Sequence, residues 1–147
     1  NLYGPEDHFE EEKSHVIPAI IRRYVEAEAA GLDSVVNWGT GSPTREFLHV
    51  ADAAEAIAIA AEKNVECVPI NLGTGIETSI ADLTKLIATT VGYEGEVAWD
   101  TSKPDGQPKR YLDVTRAKEL LGFEANISLE DGIKETVQWY RANPVQE

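Results

Sequence analysis

Helix-period segments and short apolar runs take turns along this chain, with turns built on glycine or proline between them. That alternation restricts the fold more than any other feature, because only a few layer architectures bury both kinds of element at once. Residues 1–14 hold a Tyr3-Gly4-Pro5 turn and five carboxylates between Glu6 and Glu12, and read as a loop. From His15 to Ala30 the residues Val16, Ile17, Ile20, Ile21, Tyr24 and Val25 recur at spacings of three and four, as on one buried helix face. Ser14 is placed to cap that helix. Pro18 is tolerated in the first turn, where an N–H has no intrahelical partner to lose, and Gly31 ends the helix.

Val35–Trp38 reads as a short strand, Gly39–Pro43 as a turn and Arg45–Val50 as a second strand. Ala51–Lys63 is rich in Ala and Ile and reads as a well-packed helix. Val68–Leu72 reads as a buried strand before the turn Gly73-Thr74-Gly75. Ser79 with Asp82 makes a capping box that opens a helix to Val91, stopped by Gly92. Glu96–Trp99 follows as a strand and 100–110 as a turn-rich loop. Asp113 caps a short helix ending at Gly122, and Ser128 with Asp131 caps a last helix to about Asn143. The order α-β-β-α-β-α-β-α-α predicts an α/β fold, a small and mostly parallel sheet packed by helices, in a single domain over 1–147.

A chain of 147 residues can bury roughly two-thirds of its unfolded surface, enough for a core without staples. With 13 Lys and Arg against 26 Asp and Glu, its net charge is −13. That balance argues against nucleic acid or an anionic membrane as partner, since phosphate backbones need clustered cations, but leaves room for one local basic pocket. The single cysteine, Cys67, forms no internal disulfide, and beside Val68 at a strand start it reads as a buried, inert thiol. No membrane span or secretory leader is read, which makes the cytoplasm the expected compartment. The sequence holds no Met, so a processed chain or a piece of a longer one is expected.

Two glycine turns imitate a dinucleotide fingerprint. Gly39-Thr40-Gly41 is followed by Pro43 and a strand rather than a helix. Gly73-Thr74-Gly75 precedes a helix, but Thr78 stands where close helix–strand packing wants a small residue, so a tight strand-to-helix turn is expected there. His8, His15, His49 and Cys67 show no zinc-ligand spacing, so no metal site is expected. The cations are informative because they are scarce. Arg22 and Arg23 lie on a helix, Arg45 opens a strand, and Lys103, Lys109 and Arg110 share one loop. Several of them could converge on a diphosphate, which the planar guanidinium fork binds well; the alternative is that each pairs with a local carboxylate. Trp38 could stack on a flat base or belong to the core. His15 could act as a general acid or base, or only cap a helix.

Six segments extend this reading. Asn1–Pro5, Ser14–Pro18, Val36–Gly41, Arg45–Val50, Ile70–Gly75 and Thr101–Gly106 occur in one order that resembles the C-terminal half of the GDP-L-fucose synthase family, a branch of the extended short-chain dehydrogenase/reductases and NAD-dependent epimerase/dehydratases. The likeness runs from Asn1 to about Asn143. Asn-x-Tyr-Gly-Pro and Asn-Leu-Gly-Thr-Gly are common to sugar-nucleotide epimerases. Ser-His-Val-Ile-Pro, Trp-Gly-Thr-Gly with Arg-Glu-Phe-Leu-His, and Ser-Lys-Pro-Asp-Gly are specific to the fucose branch.

The resemblance implies C3 and C5 epimerisation of GDP-4-keto-6-deoxy-mannose, then reduction of its C4 ketone by NADPH. It implies that His15 is the catalytic acid, that Val16, Arg23, Trp38, Arg45 and Lys103 bind the GDP-sugar, and that Asn1 and Leu2 touch NADP(H). The family's catalytic Cys belongs to the N-terminal half and is not Cys67. The family's Gly-rich cofactor loop and its Tyr-x-x-x-Lys pair do not occur in this sequence; none of Tyr3, Tyr24, Tyr93, Tyr111 and Tyr140 has Lys four places later. The implied unit is therefore a substrate domain with a few Rossmann-sheet elements, expected to be inactive alone and to pair with an N-terminal Rossmann half. Thr44 stands where the family often has a larger apolar residue. A UDP- or dTDP-sugar epimerase or dehydratase, a free-standing binding module, and a homodimer of the complete enzyme all stay open.

Overall fold

A computed structural model describes residues 1–10, 12–63 and 67–144. Glu11 of the acidic run lies outside them. The elements in chain order are β1 (Leu2–Tyr3), α1 (Val16–Ala30), β2 (Ser34–Trp38), β3 (Thr44–Arg45), β4 (Leu48–His49), α2 (Val50–Lys63), β5 (Thr78–Ser79), α3 (Ile80–Val91), β6 (Glu96–Asp100), β7 (Lys109–Arg110), a π-helical turn (Ala117–Leu121) and α4 (Leu129–Ala142). The α/β class is borne out. The strands form three small ladders: β1 with β4 parallel, β2 with β6 parallel, and β5-β3-β7, in which β3 runs antiparallel to β5 and parallel to β7.

The helices follow from their periodicity and caps. α1 turns Ile17, Ile20, Ile21 and Tyr24 inward, and α3 answers with Leu83 and Ile87. With Ile133 and Val137 of α4 they make the main core. Each of these aliphatic side chains contributes about 1.5–3 kcal/mol by leaving water. Ser79 and Ser128 accept from the N–H groups of Asp82 and Asp131, so both capping boxes form. Asp113 accepts from the Thr115 N–H at 2.9 Å and starts the short helical segment that Gly122 ends in the left-handed region. A second core joins Leu48, Ala53 and Ala56 to Ala117, Leu121 and Phe123.

Six expectations need correction. The loop expected over 100–110 ends in a strand, because Thr44 N–H donates to Pro108 O and seats β7 beside β3. The opening loop contains a strand, because Asn1 O accepts from Leu48 N–H and draws β1 onto β4. The cap of α1 is His15 rather than Ser14, and its imidazole makes no cap hydrogen bond. The strand expected over 45–50 is divided into β3 and β4, because between them Glu46 turns inward and its carbonyl takes both donors of Asn1. Val68–Leu72 joins no ladder. Pro69 offers no N–H, its carbonyl accepts from Arg116, and the Asn71 side chain donates to Asp113 O, so side chains tie the segment down instead. With no strand to bury it, Cys67 is exposed.

Candidate functional site

The strand β2 alternates strictly, with Val35 and Asn37 inward and Ser34, Val36 and Trp38 outward. Asn37 is 4% exposed and is fully engaged: its Nδ2 donates to Tyr24 Oη at 2.8 Å and to Ala98 O at 3.2 Å, while its Oδ1 accepts from Arg23 Nη1 at 3.3 Å. A strand amide therefore holds the Arg23 guanidinium of α1 at the carboxyl end of β2. The next residue, Trp38, is 75% exposed, and the Lys103 ammonium lies 5.8 Å from its ring centroid, within cation–π range. Trp38 is thus a surface aromatic at a strand end and not a core one.

The segment Asp100–Pro108 folds back over this end. Gly39 N–H donates to Asp100 O, and Thr40 gives both its N–H and its hydroxyl to Asp105, each at 2.8 Å. Those two hydrogen bonds, the backbone one larger, hold the Asp105 carboxyl below its ordinary range. Gly39 has φ +80°, and a Cβ there would strike the Asp105 carboxylate, so the turn needs glycine twice over. At the far end of the segment, Arg45 Nη1 donates to Thr44 O and Gln107 O at 2.7 Å each. Trp38 and Lys103 are in contact, Arg23 is joined to them through Asn37, and Arg45 grips the same loop that carries Lys103.

On α1, His15 is exposed at the first cap and Val16 is half-buried against the core. Val16 and Arg23 are seven residues apart and share a helix face. A 290 Å³ cleft runs along this helix past Ser14, Ala19, Arg22, Arg23 and Glu26. Asn1 and Leu2 lie beside the β3–β4 junction. The Asn1 side chain is spent on Glu46 O, Leu2 is exposed, and both border a 320 Å³ cavity with Arg110 and Leu112.

The cations divide into two sets. Arg22 pairs with Glu26, and Lys109 with Glu77 at 2.6 Å, which lifts the lysine and lowers the glutamate from their ordinary values. Among the described residues, Arg23, Arg45 and Lys103 have no carboxylate at ion-pair distance.

Two organising residues escaped sequence reasoning. Asn37 is one. The other is Glu46, 3% exposed, whose Oε1 accepts from the N–H groups of Thr74 at 2.5 Å and Gly75 at 3.0 Å while Oε2 accepts from Leu112 N–H at 2.7 Å. The amides of the Gly73-Thr74-Gly75 turn, which a phosphate would need, already bind this internal anion. The turn therefore serves as a structural anchor, but it is not the strand-to-helix turn expected, since among the described residues no strand runs into it and β5 stands between it and α3. The only signal of Glu46 in the sequence is a carboxylate set inside an apolar strand pattern.

The family model described as NAD dependent epimerase/dehydratase matches residues 1–73. GDP-L-fucose synthase 1 of Arabidopsis thaliana is 45% identical over 143 residues, 97% of this chain and 44% of that protein. GDP-L-fucose synthase of Escherichia coli strain K12 is 48% identical over 152 residues, 97% of this chain and 47% of that protein. The crystal structure of a GDP-L-fucose synthetase from Naegleria fowleri bound to NADP superposes with a TM-score of 0.87 at 33% identity, over 97% of this chain and 45% of that one. The chain spans less than half the length of these relatives. The chain is similar to them in sequence and in backbone course over nearly all of its own length, and its first 73 residues match the NAD dependent epimerase/dehydratase family.

Proposed function

We propose that this chain is the GDP-sugar-binding part of a GDP-L-fucose synthase-like enzyme, which epimerises GDP-4-keto-6-deoxy-mannose at C3 and C5 and reduces its C4 ketone. The observation that carries this reading is that Lys103 lies over the exposed Trp38, Arg23 is held by the neighbouring Asn37 and Arg45 grips the loop that carries Lys103, while among the described residues none of the three has a carboxylate at ion-pair distance in a chain of net charge −13. Uncompensated cations held by neutral hydrogen bonds are prepared for an anion, because no internal partner has to be displaced.

In this reading Arg23, Arg45 and Lys103 hold the diphosphate or the sugar, and Trp38 lies against the nucleotide. Val16 walls the site, and His15 gives a proton to a carbon made acidic by the adjacent ketone. The imidazole of His15 is exposed and makes no cap hydrogen bond among the described residues, so it is open to a bound sugar. Cations held near the developing enolate would lower its energy by several kcal/mol, on the order of an oxyanion hole.

NADP(H), when bound, supplies the hydride for the ketone. From this chain Asn1 and Leu2 would meet it. The Asn1 amide is committed to Glu46 O, so its part is to fix the backbone, and the exposed Leu2 side chain fits as an apolar wall for a flat ring. Calorimetric titration of the chain with GDP, UDP and dTDP tests the nucleotide. GDP is expected to bind at least about ten-fold tighter than the pyrimidine nucleotides, a difference of about 1.4 kcal/mol. A preference for UDP or dTDP would contradict the fucose branch.

A further inference from the structure

Asn37 is an uncommon choice for its position. It lies on the inward face of β2 with Val35, where an alternating strand calls for an apolar side chain, and asparagine is among the poorer strand formers. Its amide is buried, so each polar atom needs a partner, and each has one. Both hydrogens of Nδ2 are committed, one to Tyr24 Oη and one to Ala98 O. A flipped amide would set Oδ1 against the Ala98 carbonyl and Nδ2 against the Arg23 guanidinium, acceptor on acceptor and donor on donor. The orientation is therefore fixed, with Oδ1 toward Arg23 Nη1.

The groups that fix it are themselves rigid. Tyr24 is fully buried, and its ring meets Tyr93 edge to face at 5.3 Å between centroids. Burial raises its phenol above the ordinary value, so the hydroxyl stays neutral. Ala98 lies on β6, which runs in register with all of β2. Arg23 is the opposite, an exposed side chain on α1 that would sweep through water if nothing held it. Its neighbour Arg22 shows the usual restraint, an ion pair with Glu26 one turn on. Glu26 is also three residues from Arg23, but its Oε1 already accepts from Arg22 Nε at 2.7 Å. Among the described residues Arg23 has no carboxylate at ion-pair distance. Its restraint is a neutral amide, which holds the guanidinium without cancelling its charge.

We propose that Asn37 is a positioning residue for the nucleotide site: its locked amide presents a neutral acceptor that orients Arg23 before a ligand arrives and leaves the full positive charge for that ligand. Asn37 is buried and acts through Arg23 alone. The inference rests on the proposed reading of Arg23 as a ligand of the GDP-sugar, and adds what prepares it.

Calorimetric titration of the chain and of its R23A, N37V, N37D and R23A/N37V variants with GDP tests it. R23A is expected to weaken GDP at least about ten-fold. N37V is expected to weaken it about two- to ten-fold, the cost of ordering one long side chain on binding. N37D keeps the shape and an acceptor, and so reads the same contact should N37V fail to fold. It is expected to weaken GDP as well, because a carboxylate beside Arg23 neutralises the guanidinium. In the R23A background N37V is expected to change affinity by less than about two-fold, since the group it acts through is gone. An asparagine that only supports the fold would weaken both backgrounds alike, and that result overturns the positioning role. So does N37V or N37D binding GDP as the parent does while R23A weakens it, which leaves the reading of Arg23 standing. If R23A binds GDP as the parent does, Arg23 is not a ligand and both fall.

Discussion

Glu46 and Asp105 are two carboxylates doing similar work at different depths. Glu46 is buried and ties the 73–75 turn and the 110–112 segment to the β3–β4 junction through three charge-assisted hydrogen bonds. Glu46→Gln keeps the shape but cannot accept from all three part-buried N–H groups without leaving one unpaired. It is expected to cost about 2–3 kcal/mol, read as a lower urea midpoint at unchanged slope. Asp105 is exposed and holds the Thr40 turn, with its carboxyl kept below the ordinary value of 3.8. A carboxyl lowered in the folded state adds stability that is complete above its ordinary value and is lost as pH falls through the folded one. The Thr40 amide resonance is therefore expected to move toward a solvent-exposed position below about pH 4, and Asp105→Asn to abolish that transition. An Asp105→Asn protein with the same pH profile would contradict the assignment. At this scale the cations were legible, because scarcity in an acidic chain makes each one conspicuous. Asn37 and Glu46 were not, because a polar residue on an inward strand position declares its role only when the N–H or hydroxyl facing it is known.

Elements that carry their own signals were read well. α3 and α4 have a cap, an apolar stripe and a terminator written within one segment, and their starts match at Ile80 and Leu129. Elements that depend on a distant partner were misread. β1 exists only because β4 accepts it, and Val68–Leu72 looks like a strand but is held by Arg116 and Asn71 side chains instead. Gly132, near the start of α4, shows the same dependence. Replacing a helical glycine with alanine ordinarily gains up to about 1 kcal/mol. Here a Cβ would meet the Tyr3 hydroxyl and lie 3.0 Å from His49 Cδ2, both on buried side chains of the β1–β4 pair. Gly132→Ala is therefore expected to destabilise by about 1–3 kcal/mol, the ordinary cost of overpacking, in spite of its better helix propensity. A higher melting temperature for this variant would show that α4 packs less closely on β1 and β4 than described.

Over the whole molecule, the α/β class and the mostly parallel pairing follow from the order of elements, whereas the division into three small ladders does not, since strand partners separated by many residues leave no local trace. Among the described residues no helix is long and apolar enough to cross a membrane. The organisation that matters for function is long-range: α1, β2, the 100–108 segment and β3 each bring one or two side chains to the same end of the structure. The claim that these side chains grip one nucleotide diphosphate is tested most directly by following the indole N–H resonances of Trp38, Trp99 and Trp139 while GDP is added. The account predicts that the Trp38 signal shifts and saturates with GDP while that of Trp139, which stacks on Phe9, stays fixed. A saturating shift at Trp139 with Trp38 unmoved would contradict it.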